Sequence, residues 1–276
     1  MAGLLVCLPV PAASLPTIAV APSPRSVEQP ALWVLSDADT TIYLFGTFHA
    51  LDERTDWFAT PIRAAFDSSD ELILETVVPT DPMELFGVLA RHDLILTPVV
   101  GAPVVAGTGG SFTATARSTM AAGRSAGLSV ERGADAVLRR IADSQGKPVD
   151  GLESFEFQLG MVKALPVPSV ASPAPNAPST TKPQLEIRQM LLGMRAAWKR
   201  GDGSGVAAVL GSLEAQSPIT YQRLFVDRND HWARWIANRM TRPGTVFVAV
   251  GTGHLIGRDS VQQKLARHGY RTTRIK

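Results

Sequence analysis

Ile42-Tyr43-Leu44-Phe45-Gly46-Thr47-Phe48-His49, near the start of the chain, is echoed near its end by Val246-Phe247-Val248-Ala249-Val250-Gly251-Thr252-Gly253-His254. Each run reads as a buried strand closed by Gly-Thr-x-His. Continuous apolar strands of this kind belong to parallel sheets covered by helices on both faces. In such open α/β sheets the ligand crevice lies outside the carboxyl ends of the strands. Glycine lets the backbone turn sharply there, and a histidine three residues later can point back over the strand end. Both imidazoles are therefore expected on one rim of one sheet.

Working outward, Leu32 to Ser36 and Thr41 to Gly46 are β-rich runs separated by Asp37-Ala38-Asp39, the pattern of a hairpin. Asp56 to Asp67 carries apolar residues at helical spacing and leads into Glu71 to Val77, a short strand that delivers Glu75 to the same rim. Strand, helix, strand is the parallel α/β unit. The spacing predicts further helices over 82–98, 134–144, 184–201, 204–214, 221–236 and 260–268. It predicts strands over 147–153, ending in Glu153, over 244–250, and at the terminal edge over 270–275. Gly101 to Gly127 is rich in small residues and matches no pattern. The expected fold class is α/β: a mixed central sheet flanked by helices, with two pseudo-repeated halves that each contribute a strand-end Gly-Thr-x-His. Residues 28–276 form the expected domain, with a flexible Pro/Ala/Ser insertion at 166–183 whose composition offers too little apolar surface to order itself.

Among the 276 residues, 27 Lys plus Arg face 25 Asp plus Glu, a formal charge of +2 with no block of like charges. Nucleic acid and anionic membrane surfaces are thus excluded as expected partners. One cysteine, Cys7, rules out an intramolecular disulfide and any Cys-based zinc site, so a metal must rest on His and carboxylates. Residues 1–27 read as a signal or disordered tail. Leu4 to Val10 followed by Ala12-Ala13-Ser14 resembles the apolar and cleavage regions of a secretory signal, although the first basic residue is Arg25. An uncharged Ala/Pro tail and a retained anchor are the other readings. Pro9, Pro11 and Pro16 interrupt any spanning helix, so no stable membrane span is expected in the mature chain, and a periplasmic or secreted location is.

Two histidines and a carboxylate on one rim suit a divalent metal with positions left for water and substrate. Such an ion lowers the pKa of its bound water and polarises a carbonyl. The spacing is not a local metal motif, and a strand-end histidine is also a common structural hydrogen-bonding group. His92, His231 and His268 fall in helical stretches and read as solvated or capping residues. Trp232 and Trp235 read as a buried helix face. Gly251-x-Gly253-x-x-x-Gly257 is one residue off the dinucleotide spacing.

With these residues assembled, the chain resembles the TraB/GumN family, which is related to the Tiki-type metalloproteases and more distantly to erythromycin esterase-like and haem-binding ChaN-like proteins. The matching segments are Leu32 through His49, Trp57 through Glu75, Gly133 through Leu138, Gly151-Leu152-Glu153 with Gln158, Tyr221 through Trp232, and Gly251 through Arg274. The resemblance implies metal-dependent peptide cleavage with His49, Glu75 and His254 as catalytic residues and ligands of manganese, cobalt or zinc. It places Glu153, Arg228 and Asn229 around the substrate or behind the site. Arg228 suits a clamp on a substrate carboxylate, a partner that orients a catalytic carboxylate, or a structural salt bridge. Two further readings remain: a non-catalytic protein that sequesters a peptide or small ligand, and a haem or iron binder. Oligomeric state is left open.

Overall fold

The computed structural model describes residues 29–92, 94–99, 102–107, 121–165 and 182–275. The expected N-terminal signal or tail, the centre of the small-residue stretch and the insertion up to residue 181 lie outside the described residues.

The core is a six-stranded sheet of order β6-β3-β7-β2-β1-β8, built from β1 (Leu32–Ser36), β2 (Thr40–Thr47), β3 (Glu71–Thr76), β6 (Val149–Glu153), β7 (Gly244–Gly251) and β8 (Thr273–Ile275). β2, β7, β3 and β6 run parallel, whereas β1 is antiparallel to both β2 and β8. The sheet is therefore mixed and flanked by helices, as the sequence predicts, and the hairpin and the terminal edge strand fall where expected. β2 and β3, joined through α1 (Ile62–Asp67), are not neighbours, because the late strand β7 inserts between them. The two echoed runs thus lie side by side. Their copies are offset by one residue, since Thr47 pairs with Gly251 and Gly46 with Val250. A one-residue offset turns equivalent side chains to opposite faces.

Alternation along the central strands divides the core into two layers. On one face Phe45, Leu72, Leu74, Phe247 and Ala249 pack with Phe66 of α1, with Leu138 of α3 (Ala134–Gln145) and with Trp198 of α5 (Lys182–Lys199). On the other, Ile42, Leu44, Ile73, Val246 and Val248 pack with Trp232 and Ile236 of α8 (Asp227–Arg239) and Leu265 of α9 (Val261–Arg267). Each fully buried Phe, Leu or Ile contributes about 1.5–3 kcal/mol.

Two expected elements differ. The helix expected over 56–67 begins only at Ile62, because Pro61 takes the capping position and biases the residue before it away from helical dihedrals. Trp57 is freed to stack on Phe45 at 5.4 Å. The helix expected over 82–98 stops as α2 (Pro82–Arg91), and β4 (Leu94–Val99) then pairs with β5 (Ala102–Gly107) as a separate antiparallel ribbon. Thr97-Pro98 explains part of this, since proline removes a helical hydrogen bond and collides with the preceding turn. α3 ends as expected at Gly146, which has φ 65°. Among the described residues no helix is long and apolar enough to cross a membrane.

Candidate functional site

Parallel strands deliver their carboxyl ends to one rim. Glu75 and Glu153 lie at or near the ends of β3 and β6, His49 follows β2, and His254 sits in the short 3-10 turn Thr252–Leu255 after β7. Gly251 stands in their midst. A Cβ placed on it would lie 2.9 Å from Glu75 Oε1, 3.1 Å from His49 Nε2 and 3.7 Å from His254 Cδ2. The missing side chain is thus the space in which these groups converge. The Gly251 N–H also donates to Glu75 Oε1 at 2.6 Å.

Helix α8 supplies the opposite wall. It continues α7 (Pro218–Tyr221) through a π-helical stretch at Gln222–Val226, the kind of irregularity that often marks functional sites. Arg228 and Asn229 follow at once and divide the work. The Arg228 guanidinium donates from Nε to both Glu153 oxygens at 2.9 and 3.0 Å, from Nη2 to Glu75 Oε2 at 2.8 Å, and from Nη1 to His254 Nε2 at 3.2 Å. Asn229 Nδ2 donates to the carbonyls of Asp259 and His254, so its Oδ1 accepts from His254 Nδ1–H at 2.7 Å. That fixes the tautomer: His254 carries its proton on Nδ1, and its Nε2 lone pair is taken by Arg228. One turn on, Trp232 donates to Glu153 Oε1 at 3.0 Å, and its ring lies 4.6 Å beneath the guanidinium. Its centroid is 4.3 Å from that of His254, and Phe225 packs on the same imidazole at 4.9 Å.

The charges follow from this packing. Burial drives His254 down to about 3, with the Arg228 and His49 charges adding to the effect against the pull of Glu75. Burial also opposes charge on Glu75. The surrounding His254, Arg228 and His49 groups and the Gly251 N–H outweigh it, and Glu75 falls to about 2.

His49 is placed differently. Its imidazole is 59% exposed and Nδ1 meets Asp135 Oδ1 at 3.1 Å. The surrounding protein opposes protonation, but the Asp135 hydrogen bond and the Asp135 and Glu75 charges prevail and raise His49 to about 9. Asp135 lies in the first turn of α3, and Gly133 lets that helix start against the His49 backbone, since a Cβ there would lie 2.3 Å from the His49 carbonyl oxygen. His49 and Glu75 open into a cavity of about 460 Å³ shared with Thr47, Thr76, Asp135, Arg139 and Gln158. A second cavity of about 790 Å³, lined by Phe157, Met161, Arg223 and His231, lies on the side of Glu153 and Arg228 and reaches neither His49 nor Glu75.

For a metal, the donors fit in part. His49 backed by Asp135 is the carboxylate–imidazole pairing that orients many metal-binding histidines, and Glu75 Oε1 faces the same point as His49 Nε2. His254 Nε2 joins them only with Arg228 displaced. Among the described residues no group of three or more His, Cys, Asp or Glu side chains is arranged to hold an ion.

All six residues singled out from the sequence, His49, Glu75, Glu153, Arg228, Asn229 and His254, are joined at this rim. Two of them, Glu153 and Arg228, form a buried pair behind Glu75. Asp135 and Phe225 are additional, and Trp232 belongs to the site as well as to the core. The Gly133-Ala134-Asp135 run, at the start of a helix after a strand-end histidine, is the one signal that points to Asp135. His92 and His268 cap helices, as expected, while His231 lines the second cavity. A search among curated proteins and among solved structures gives no match. A family model described as the TraB/PrgY/gumN family matches residues 31–94 and 110–274. With its sheet, its paired strand-end histidines and its rim of carboxylates in place, the chain belongs to the TraB/PrgY/gumN family.

Proposed function

We propose that this protein is a metal-dependent hydrolase of the bacterial cell envelope that cleaves peptides at the β2–β7–β3 rim. The observation that carries the reading is the convergence of His49 Nε2 and Glu75 Oε1 on one side-chain-free point above Gly251, open to a cavity. His49, giving up its Nε2 proton on binding, and Glu75 would hold a divalent ion such as manganese, cobalt or zinc, which supplies a water of lowered pKa and polarises the scissile carbonyl. Asp135 holds the His49 ring with Nε2 facing Glu75. Arg228 keeps Glu75 ionised and aimed, and Glu153 with Trp232 fixes Arg228 in turn. His254, neutral and locked by Asn229, closes the buried side of the site. The signal-like N-terminus supports the envelope location.

The test is to strip the purified protein with a chelator and follow cleavage of internally quenched peptides on adding back each ion. Recovery in the wild type and none in His49→Asn is expected. Equal cleavage by the two proteins sinks the proposal.

A specific observation favours a second reading, a protein that sequesters a peptide or small ligand without turnover. Arg228 already satisfies Glu75, Glu153 and His254 Nε2 together, so the polar network is nearly complete without an ion. Stoichiometric retention of peptide, with no product by mass spectrometry in the presence of each ion, is the outcome that selects it.

A further inference from the structure

Thr47, Gly251 and Thr76 stand in one row across the rim. The ladder pairs Thr47 with Gly251 and Leu74 with Ala249, so Thr76, two residues beyond Leu74, falls on the far side of Gly251. By strand alternation the three share the face that carries Phe45, Leu74 and Ala249. Thr47 and Thr76 both line the cavity that holds His49 and Glu75. The row is a notch with a hydroxyl at each end, and the point flanked by Glu75 Oε1 and His49 Nε2 lies at its middle.

Both hydroxyls lack a partner. Thr47 Oγ1 and Thr76 Oγ1 are buried without a hydrogen bond, and Gln262 Oε1 is the one other such side-chain atom among the described residues. Thr47 as a whole is 2% exposed. Buried polar groups are almost always paired, and a threonine hydroxyl can both donate and accept. Neither hydroxyl is needed for the sheet, which the backbone ladder holds. Two exceptions beside one reactive pair point to a partner that arrives from outside.

We propose that Thr47 and Thr76 are substrate-positioning residues that hydrogen-bond the main chain of an extended peptide laid across the rim, with one amide carbonyl over Gly251. Two strand spacings separate their Cα atoms by roughly 9–10 Å, and same-side main-chain groups of an extended peptide recur about every 6.8 Å. Three residues of an extended peptide span about 10 Å, so threonines at the two ends of the side-chain-free gap fall within reach of one short extended segment. Recognition of this kind reads the backbone and tolerates varied side chains. The inference rests on the hydrolase reading for its kinetics and on binding alone for its recognition.

The experiment compares wild type, Thr47→Val, Thr76→Val and the matching serine variants on a mixture of internally quenched peptides with added metal ion. Each valine variant is expected to raise KM about tenfold with kcat changed less than about twofold, and serine is expected to restore KM. Thermal midpoints of the valine variants should equal or exceed that of the wild type, because the hydroxyl removed has no partner to lose. Unchanged KM in both valine variants overturns the proposal. So does a raised KM with a lowered midpoint that serine fails to rescue. If the wild type cleaves nothing, the hydrolase reading fails and fluorescence anisotropy with the same peptide sequences carrying a single fluorophore and no quencher decides the rest. Tenfold weaker binding in the valine variants then sustains the positioning role, and equal binding overturns it.

Discussion

His49 and His254 close the same four-residue motif and hold opposite charge states. His49, against Asp135, is raised to about 9, whereas His254, buried between Trp232 and Phe225, is lowered to about 3. Changing Asp135→Asn removes the hydrogen bond and the charge that raise His49, so its imidazole titration followed by NMR should fall from about 9 toward 6.5. A midpoint that stays near 9 contradicts this account of the pair. Gly251→Ala tests the convergence point. The added methyl meets Glu75 Oε1 at 2.9 Å and His49 Nε2 at 3.1 Å, so one of them must move. Residue 251 has φ −53° and ψ 134°, which alanine adopts without strain. Activity should fall about a hundredfold, since misplacement by about 1 Å costs that much, with little change in thermal midpoint. A fully active Gly251→Ala protein places the chemistry elsewhere.

Helix α8 and the strand ends meet through Arg228, and their interaction should dominate the stability of the rim. Arg228 is buried between two carboxylates, at 2.8 Å from Glu75 and 2.9 Å from Glu153. Removing one partner of such a network leaves uncompensated buried charge. Arg228→Met should therefore destabilise by about 3–5 kcal/mol in urea denaturation, and loss below about 1 kcal/mol rejects a structural role for the pair. How much of this was legible in the sequence varies by element. β2, β3 and β7 announce themselves by uninterrupted apolar runs, so the rim and its His49, Glu75 and His254 follow from strand ends alone. Arg228 and Asn229 stood out as a pair, but their partners depend on how α8 docks over the sheet, which no local pattern encodes. Asp135 falls within the matching segment Gly133 through Leu138, but its partner is hidden for the same reason: it reaches His49 only because Gly133 allows α3 to start against that loop. The one-residue offset between the two Gly-Thr-x-His copies is set by strand pairing, and it explains why one histidine opens to a cavity and the other is sealed in.

The molecule as a whole should be most stable near pH 6.5. His254 takes up its proton near 6.5 when unfolded and near 3 when folded, so the unfolded chain binds more protons between these values and stability falls as pH falls through them. Glu75 adds to this: its contribution is present above about 4.5 and is lost toward pH 2. His49 acts in the opposite sense, with its contribution complete below 6.5 and lost as pH rises through about 9. Urea denaturation in metal-free buffer across pH 4 to 9 should show this maximum, and a profile that rises steadily to pH 9 contradicts it. The central claim is that His49 and Glu75 act together on a substrate above Gly251. Its most direct measurement is the turnover of internally quenched peptides by wild type, His49→Asn and Glu75→Gln, each stripped of metal and resupplied with manganese, cobalt or zinc. The account predicts metal-restored cleavage in the wild type alone. Cleavage that survives either substitution, or that is equal with and without every ion, contradicts it.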